Sequence, residues 1–273
     1  MLVQEHRLPV RRACQIVKLS RAAYYRQPGC TVERDAPVIQ ALNKIVARRP
    51  RWGFWKCFDR LRLDGHRWNH KRVHRVYCAM RLNLPRRTKK RLPARIVAPL
   101  VAPAAHNRVW AMDFMHDALY GGRSFRTLNI IDEGNREALA IEVGTSVPSA
   151  RVIRVLERLI DLHGKPEAVR VDNGPEFTAA AFEDWCQQQG IARLYIAPGK
   201  PDQNAFIERF NRTYRNEVLD PYLFESIEQV QALTDEWLTI YNHERPHESL
   251  GRVPPLMFMP RQTSGDSSYQ VST

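Results

Sequence analysis

Three acidic residues stand where rigid elements of structure would hold them. Asp113 lies within the strand-like run RVWAMDF, and Asp172 directly follows the apolar run 168–171. Glu208 lies in the first turns of a predicted helix, with 35 residues between it and Asp172. Carboxylate oxygens are the ligands that Mg²⁺ prefers, and two such ions side by side promote displacement at phosphorus. The pattern therefore predicts a two-metal phosphoryl-transfer centre formed by Asp113, Asp172 and Glu208.

The elements that would position these acids follow an α/β pattern from residue 106 onward. Three strands are predicted over 109–114, 126–131 and 138–143, and the Gly-containing turns between them favour an antiparallel meander. The later predicted elements are a helix over 148–163, a strand over 168–171, a helix over 178–189, a strand over 192–197, the Glu208 helix with Asp202 as its N-cap, and a helix over 226–242. This order predicts a mixed five-stranded sheet with helices on both faces.

The N-terminal region has helical periodicity instead. Residues 8–26 read as two short helices around a tight turn, with Ser20 as the N-cap of the second. This is the outline of a helix-turn-helix, but an ordinary helical hairpin has the same pattern, and both interpretations stay open. A further helix is predicted over 36–48, and apolar residues recur at helical spacing through 48–82.

Charge separates the two halves of this 273-residue chain. Residues 1–105 contain 25 basic and 5 acidic side chains, whereas residues 106–273 contain 17 basic and 24 acidic ones. A basic half joined to a carboxylate-bearing half is typical of an enzyme that acts on a polyanion such as DNA. The candidate phosphate contacts in the basic half are Lys71, Arg72 and Arg75.

The same basic region contains aromatic residues and side chains that could bind zinc. Trp52, Trp55 and Trp68 could stack on bases, but their surroundings favour core packing. Three zinc-binding types share one helix face and a fourth lies upstream: they are His70, His74, Cys78 and Cys57. Because structural zinc normally takes closely spaced ligand pairs from two elements, we predict that no zinc is bound.

Four motifs together resemble a known family. They are WAMDFMHD, VDNGPEF, GKPDQNAFIERFN and, at 241–251, YNHERPHESLG. They look like the DDE transposase encoded by the B frame of copy-out–paste-in bacterial insertion sequences, and the likeness covers roughly residues 8–255. That family shares the RNase H-like core of retroviral integrases, which implies an RNase H-like fold for the sheet. The resemblance also implies that Asp113, Asp172 and Glu208 bind two Mg²⁺ (or Mn²⁺) ions for end cleavage and strand transfer.

The resemblance further implies DNA contacts close to the acids. A basic residue farther along the last catalytic helix is expected to matter, and here it is Arg215. At 100° per residue, Arg212 and Arg215 both lie within about 40° of Glu208 around the helix. The other candidates lie within the motifs and are Asn173, Lys200 and Asn204.

Other acids near the motifs are expected to have no catalytic part. Asp132 and Glu133 fall at a turn beside Gly134, where solvated acids are expected. Asp117 is set aside in the same way, and Glu176 lies just before a helix, whose positive end it would favour.

These observations predict an organisation in four parts. They are a helical DNA-binding region with helix-turn-helix-like segments over 1–84, a basic Pro-rich linker over 85–105, an RNase H-like integrase catalytic core over 106–260 and a tail over 261–273.

The N-terminus lacks the apolar run of a signal peptide, no segment is apolar enough to span a membrane, and the five cysteines form no C-x-x-C pair. We therefore expect a cytoplasmic, nucleoid-associated bacterial protein without a membrane partner.

The expected partners follow from the family. They are double-stranded DNA, as the terminal inverted repeats of the element and as target DNA, further copies of this chain in a synaptic complex, and an A-frame protein or fusion. Two other functions stay open at this stage. One is a DNA-binding regulator derived from a transposase without catalysis, which retention of all three acids argues against. The other is an RNase H-like nuclease that hydrolyses DNA without joining it.

Overall fold

The structure is a computed structural model that describes residues 3, 5–25, 31–85, 103, 105–197 and 201–261. Most of the predicted linker and of the predicted tail lie outside these residues, as does Lys200. Within the described part, no helix is both long and apolar enough to cross a membrane.

The helices and strands lie close to their predicted positions. The helices are α1 (Val10–Ile16), α2 (Arg21–Tyr25), α3 (Thr31–Arg48), α4 (Phe54–Leu63), α5 (His70–Ala79), α6 (Ser149–His163), α7 (Ala180–Gln189), α8 (Ala205–Tyr214), α9 (Ile227–His243) and α10 (Pro255–Phe258). The strands are β1 (Val109–Ala118), β2 (Ser124–Asp132), β3 (Ala138–Gly144), β4 (Ala168–Val171) and β5 (Ala192–Tyr195).

The chain forms two compact units. The first contains residues 1–50 and 68–82, and the second contains residues 51–67 and 83–273. Helix α4 therefore belongs to the unit that contains the sheet, although the sequence had suggested one helical region over 1–84. Trp52 and Trp55 lie in this second unit, where Trp52 is buried as expected and Trp55 is 53% exposed.

In the first unit, α3 and α5 pack through apolar residues at helical spacing. Val38 and Leu42 of α3 and Val73 of α5 are fully buried. Helices α1 and α2 follow one another across a tight turn, and the Ser20 hydroxyl accepts a hydrogen bond from the Ala23 N–H, which confirms the predicted N-cap.

In the second unit, the five strands form one sheet in the order β3-β2-β1-β4-β5. Strand β2 pairs antiparallel with both β1 and β3, which confirms the predicted meander, and β4 is parallel to β1 and β5. The predicted mixed sheet with helices on both faces is therefore confirmed.

Alternation along β1 sends side chains to two separate cores. Trp110 and Met112 pack with α6 and α7 on one face, whereas Ala111 and Met115 pack with α8 and α9 on the other. Asp113 lies between Ala111 and Met115 on the second face, since side chains two residues apart on a strand share a face. The period-2 pattern of β1 thus directs Asp113 toward α8.

Candidate active site

Asp113 is a partly buried carboxyl group in the middle of β1. Its Oδ2 accepts a hydrogen bond from the Asn211 side chain of α8 at 2.7 Å, and its Oδ1 accepts one from the Phe114 N–H at 2.9 Å. The pKa of Asp113 is raised to about 6, mainly by burial and also by the negative charges of Asp172 and Glu208, while the two hydrogen bonds lower it. The charges of the other two predicted acids therefore both act on Asp113.

The sheet and a turn bring Asp172 beside Asp113. In the parallel pairing of β1 with β4, Ala111 lies opposite Arg170, so Asp113 and Asp172 stand at the same level of neighbouring strands. The Asp172 Oδ1 accepts a hydrogen bond from the Gly174 N–H at 3.0 Å. A Cβ at Gly174 would lie 2.9 Å from that oxygen, so a larger residue there would require the Asp172 carboxylate to shift.

Glu208 is an exposed residue in the first turn of α8. The helix begins two residues later than the sequence had suggested, because Pro201–Asn204 form a 3₁₀ turn and Asn204, not Asp202, is the N-cap. Ile207, Phe210 and Tyr214 face the core, and this amphipathic spacing fixes the rotation of the helix against the sheet. Glu208 is thereby held where its charge acts on Asp113.

Two asparagines that the sequence analysis did not single out connect these elements. Asn129 of β2 lies opposite Asp113 in the strand pairing and donates its side-chain N–H to the Asn211 Oδ1 at 2.7 Å. Asn211 in turn donates to Asp113, so a chain of hydrogen bonds runs from β2 through α8 to β1. The sequence contains a signal for these two residues, because Asn129 interrupts an apolar strand and Asn211 occupies an inner position of α8. A polar side chain at such a buried position normally has a hydrogen-bond partner.

Asp113, Asp172 and Glu208, here called the site carboxylates, have no cationic partner among the described residues. No Lys, Arg or His side chain in that part of the chain lies within 4.0 Å of their oxygens. A set of hard oxygen ligands with uncompensated charge fits a divalent cation in chemistry. The three carboxylates lie farther apart than the ligands of a bound metal ion, since no three His, Cys, Asp or Glu side chains of the described residues stand close enough to hold one ion.

The two arginines of the Glu208 helix differ in their contacts. Arg212 is exposed and lines the same cavity wall as Glu208. Arg215 instead donates to the Asp117 carboxylate at 2.9 Å and to the His116 carbonyl at 2.8 Å, both on β1. The helix widens into a π-helical turn over Arg215–Leu219. The predicted direction of Arg215 assumed a uniform rotation of 100° per residue and did not include this turn.

The other predicted DNA contacts of this region lie in different surroundings. Asn173 is exposed and donates to the Ile196 carbonyl at 3.3 Å. Asn204 is only 5% exposed, so its side chain offers little surface to DNA in this conformation. Lys200 lies outside the described residues. The part of all three in DNA binding stays a prediction.

In the helical unit, two of the three predicted phosphate contacts bind a carboxylate. Arg72 and Arg75 of α5 donate to Asp35 of α3 at 2.9 and 2.6 Å, and these hydrogen bonds hold the pKa of Asp35 below its usual value. They therefore join the two helices, although half of the Arg75 side chain is exposed. Lys71 lies on the exposed first turn of α5.

Asp132, Glu133 and Glu137, here called the paired carboxylates, are buried, so the expectation that Asp132 and Glu133 are solvated was wrong. Asp132 is 0% exposed and accepts hydrogen bonds from Arg261 and from the Asn107 and Gly134 N–H groups. Glu133 pairs with Arg170, and Glu137 pairs with Arg261. Arginines that are distant in the sequence replace the water that a surface turn would have supplied.

Glu176 also has a specific partner, since its carboxylate pairs with Arg126 of β2. Burial alone would raise the pKa of Glu176, but the hydrogen bond from Arg126 lowers it below its usual value. The Arg126 guanidinium lies 4.2 Å from the centre of the Phe114 ring, next to Asp113. Among the zinc-binding side-chain types of α5, His74 contacts the Cys78 sulfur at 3.6 Å, and the absence of zinc there stays a prediction.

The sequence matches the Integrase core domain family over residues 103–201 and again over 189–255. Residues 33–91 match the HTH-like domain family, so this match begins beyond the two-helix outline at 8–26. That outline stays a prediction.

Two curated proteins are similar over most of this chain. The 39.2 kDa protein of insertion element IS476 from Xanthomonas euvesicatoria is 38% identical, over 92% of this chain and 72% of the relative. The 31.7 kDa protein of insertion element IS407 from Burkholderia multivorans is 35% identical, over 91% of this chain and 89% of the relative. Among solved structures, a chain of the simian T-cell lymphotropic virus intasome in complex with PP2A regulatory subunit B56 gamma is 18% identical, with a TM-score of 0.50 over 85% of this chain and 80% of that one.

Proposed function

The chain belongs to the integrase-core family of insertion-element transposases, and from this premise we propose that Asp113, Asp172 and Glu208 are its catalytic, metal-binding carboxylates. The observation that supports the proposal is that the charges of Asp172, after β4, and Glu208, on α8, both act on Asp113 of β1, while none of the three has a cationic partner among the described residues. Structural carboxylates elsewhere in the same sheet are paired with arginine, so this uncompensated charge needs another explanation.

Two Mg²⁺ (or Mn²⁺) ions, when bound, would activate the attacking water or 3′-OH and stabilise the leaving 3′ oxygen. The residues of the chain set the geometry for this. Asn211 and Asn129 fix the carboxyl group of Asp113, and the Gly174 N–H fixes that of Asp172. Glu208 stands on a helix start, which is a rigid support.

The substrate that these features favour is DNA at the ends of the element. The HTH-like region would bind the terminal repeats through its basic surface, and the exposed Arg212 and Asn173 would contact a phosphate held at the site carboxylates. We propose that several copies of the chain act together in a synaptic complex, with an A-frame protein or fusion as a further partner. The element DNA in the nucleoid would then be the place of action.

A cleavage and joining assay tests this proposal. The substrate is a labelled duplex with the inverted repeat that flanks the gene, supplied both intact and nicked at the 3′ end of the element. In Mg²⁺, wild type should cleave the intact duplex and join the nicked one to target DNA, and Asp172→Asn should do neither.

The other results point to other functions. Cleavage of the intact duplex without joining of the nicked one would indicate a nuclease. Binding without either reaction, even with the A-frame protein present, would indicate a non-catalytic regulator and contradict the proposal.

A further inference from the structure

Residues 172–177, here called the Asp172 turn, hold a second carboxylate close to that of Asp172. A Cβ placed on Gly174 would lie 2.9 Å from the Asp172 Oδ1 and 3.5 Å from the Glu176 Oε2, so both oxygens lie beside the same residue. Glu176 has 13% of its side chain exposed, and its carboxylate pairs with Arg126 of β2. This ion pair therefore stands next to one of the site carboxylates without including any of them.

Arg126 reaches the Asp172 turn across the neighbouring strand, because β1 lies between β2 and β4 in the sheet. Its guanidinium lies 4.2 Å from the centre of the Phe114 ring. Phe114 follows Asp113 along β1 and points to the opposite face, where its ring stacks on the buried Phe177 with ring centres 5.2 Å apart. The cation and the two rings thus join β2, β1 and the end of the Asp172 turn on the face opposite to Asp113.

Hydrogen bonds connect this anchored end of the turn to Asp172. The Gly174 carbonyl accepts from the Phe177 N–H at 3.0 Å, and the Gly174 N–H donates to the Asp172 Oδ1 at 3.0 Å. The Ser149 hydroxyl at the start of α6 donates to the Glu176 carbonyl at 2.8 Å. A continuous chain of contacts therefore runs from the ion pair to the Asp172 carboxylate.

The ion pair differs from an ordinary surface pair, which contributes little because water competes for both charges. Only 24% of the Arg126 side chain and 13% of the Glu176 side chain are exposed, and the cation lies against an aromatic ring. Asp172, in contrast, is exposed and forms no ion pair within the described residues. The turn, rather than a charged partner of its own, decides where the Asp172 carboxylate stands.

We propose that Arg126 and Glu176 are positioning residues, which hold Asp172 in the place from which it binds a metal ion. The ion pair ties the Asp172 turn to β2, and the Gly174 N–H transmits that position to the Asp172 carboxylate. The metal-binding part of this inference rests on the proposed function, whereas the ordering of the turn by the ion pair does not. Neither positioning residue touches the reacting atoms.

Hydrogen exchange in the full chain tests the ordering of the turn. Arg126→Gln and Glu176→Gln each remove one charge of the pair, and in both variants amide exchange over 172–177 should rise about tenfold, as for the loss of a hydrogen bond between charged groups. Glu142→Gln is the matched control, since Glu142 of β3 is 18% exposed and pairs with Arg151 away from this turn. Unchanged exchange in the first two variants, or an equal rise in the control, would overturn the inference.

The affinity for Mn²⁺ separates positioning from a plain effect of charge. It is measured without DNA from the electron paramagnetic resonance signal of free Mn²⁺, so it does not depend on activity. Acting through charge alone, Arg126→Gln would strengthen binding and Glu176→Gln would weaken it, because they remove charges of opposite sign. If the pair positions Asp172, both variants should bind at least tenfold more weakly, as when an outer partner of a metal ligand is lost. Shifts in opposite directions would overturn the inference.

The double variant Arg126→Gln/Glu176→Gln tests whether the two residues act as a pair. It should bind Mn²⁺ about as weakly as either single variant, because one contact cannot be lost twice. Additive losses would mean that the residues act separately and would contradict the inference.

Asp172→Asn distinguishes a failure of this inference from a failure of the proposed function. If Asp172→Asn and wild type bound Mn²⁺ equally, the proposed function would be contradicted together with the metal-binding part of the inference, and hydrogen exchange would still decide the ordering of the turn. If Mn²⁺ binding required Asp172 but stayed unchanged in Arg126→Gln and Glu176→Gln, only the present inference would be contradicted.

Discussion

Two groups of carboxylates lie in the same sheet, and they differ in what surrounds them. The paired carboxylates, at the end of β2, are buried and bound by Arg261 and Arg170. The site carboxylates, near the end of β4, have only neutral donors among the described residues, namely the Asn211 side chain and the N–H groups of Phe114 and Gly174. Within the described part of the chain, one group has its charge compensated and the other does not.

This difference separates a structural part from a functional one. Removing one partner from a buried ion pair leaves an unpaired charge and destabilises the fold, whereas removing one of several like charges relieves repulsion. The paired carboxylates should therefore matter for stability, and the site carboxylates for activity. Four substitutions would break or sharpen this contrast, and they follow in order of decreasing expected effect.

Glu208→Gln should have the largest effect, on activity. Gln keeps the length of the side chain but removes the charge that a second hard divalent cation requires, so cleavage and joining should fall together by about 10³-fold or more. DNA binding and the thermal midpoint should persist or rise, because a repelling charge is lost. Asp113→Asn and Asp172→Asn should behave alike. A Glu208→Gln protein that still cleaves and joins in Mg²⁺ would exclude this residue from the site.

Asp132→Asn should have the converse effect. The substitution removes the carboxylate that accepts from Arg261 and from two N–H groups, and we expect the free energy of unfolding to fall by about 3 kcal/mol. Urea unfolding measures this, and Asp161→Asn on the exposed face of α6 is the matched control. If the remaining folded protein also lost its cleavage activity, the contrast between the two groups would fail.

Asn211→Ala tests the connection between the two asparagines and Asp113. Outer partners of metal-binding carboxylates typically affect activity by about 10–100-fold, and we expect a loss of this size in cleavage. Asn129→Ala should lose less activity, because the hydrogen bond from Asn211 to Asp113 would remain. Both variants should lose similar stability, so equal activities would show that Asn211 has only a structural part.

Gly134→Ala should have the smallest of the four effects. A Cβ at Gly134 would lie 2.4 Å from the Ala105 carbonyl oxygen, at the turn that holds Asp132, so the backbone would have to shift. We expect a loss of about 1–3 kcal/mol in the free energy of unfolding. Gly121→Ala is the control, since no atom of the described residues lies within 4 Å of its added methyl group. Equal stability of the two variants would show that the turn near the paired carboxylates adapts without cost.

Local patterns in the sequence were enough to predict the elements and the acids. The apolar alternation of β1, the short apolar run of β4 and the amphipathic spacing of α8 depend on neighbours only a few residues away. They placed Asp113 in a strand, Asp172 after one and Glu208 on a helix. The antiparallel meander and the mixed sheet followed from the same patterns, because short turns favour antiparallel pairs and crossover helices favour parallel ones, whereas the spatial order β3-β2-β1-β4-β5 was given only by the structure.

Only the tertiary structure decided which charges are compensated. Asp132 lies beside a glycine turn, as a solvated acid would, but Arg261 reaches it from 129 residues away. The link from Asn129 to Asn211 spans 82 residues, and one cavity is lined by both α4 and the last motif. Local periodicity carries no information about such contacts, because they depend on how distant segments meet after folding. Whether a carboxylate is structural or available to a ligand is therefore a property of the folded chain.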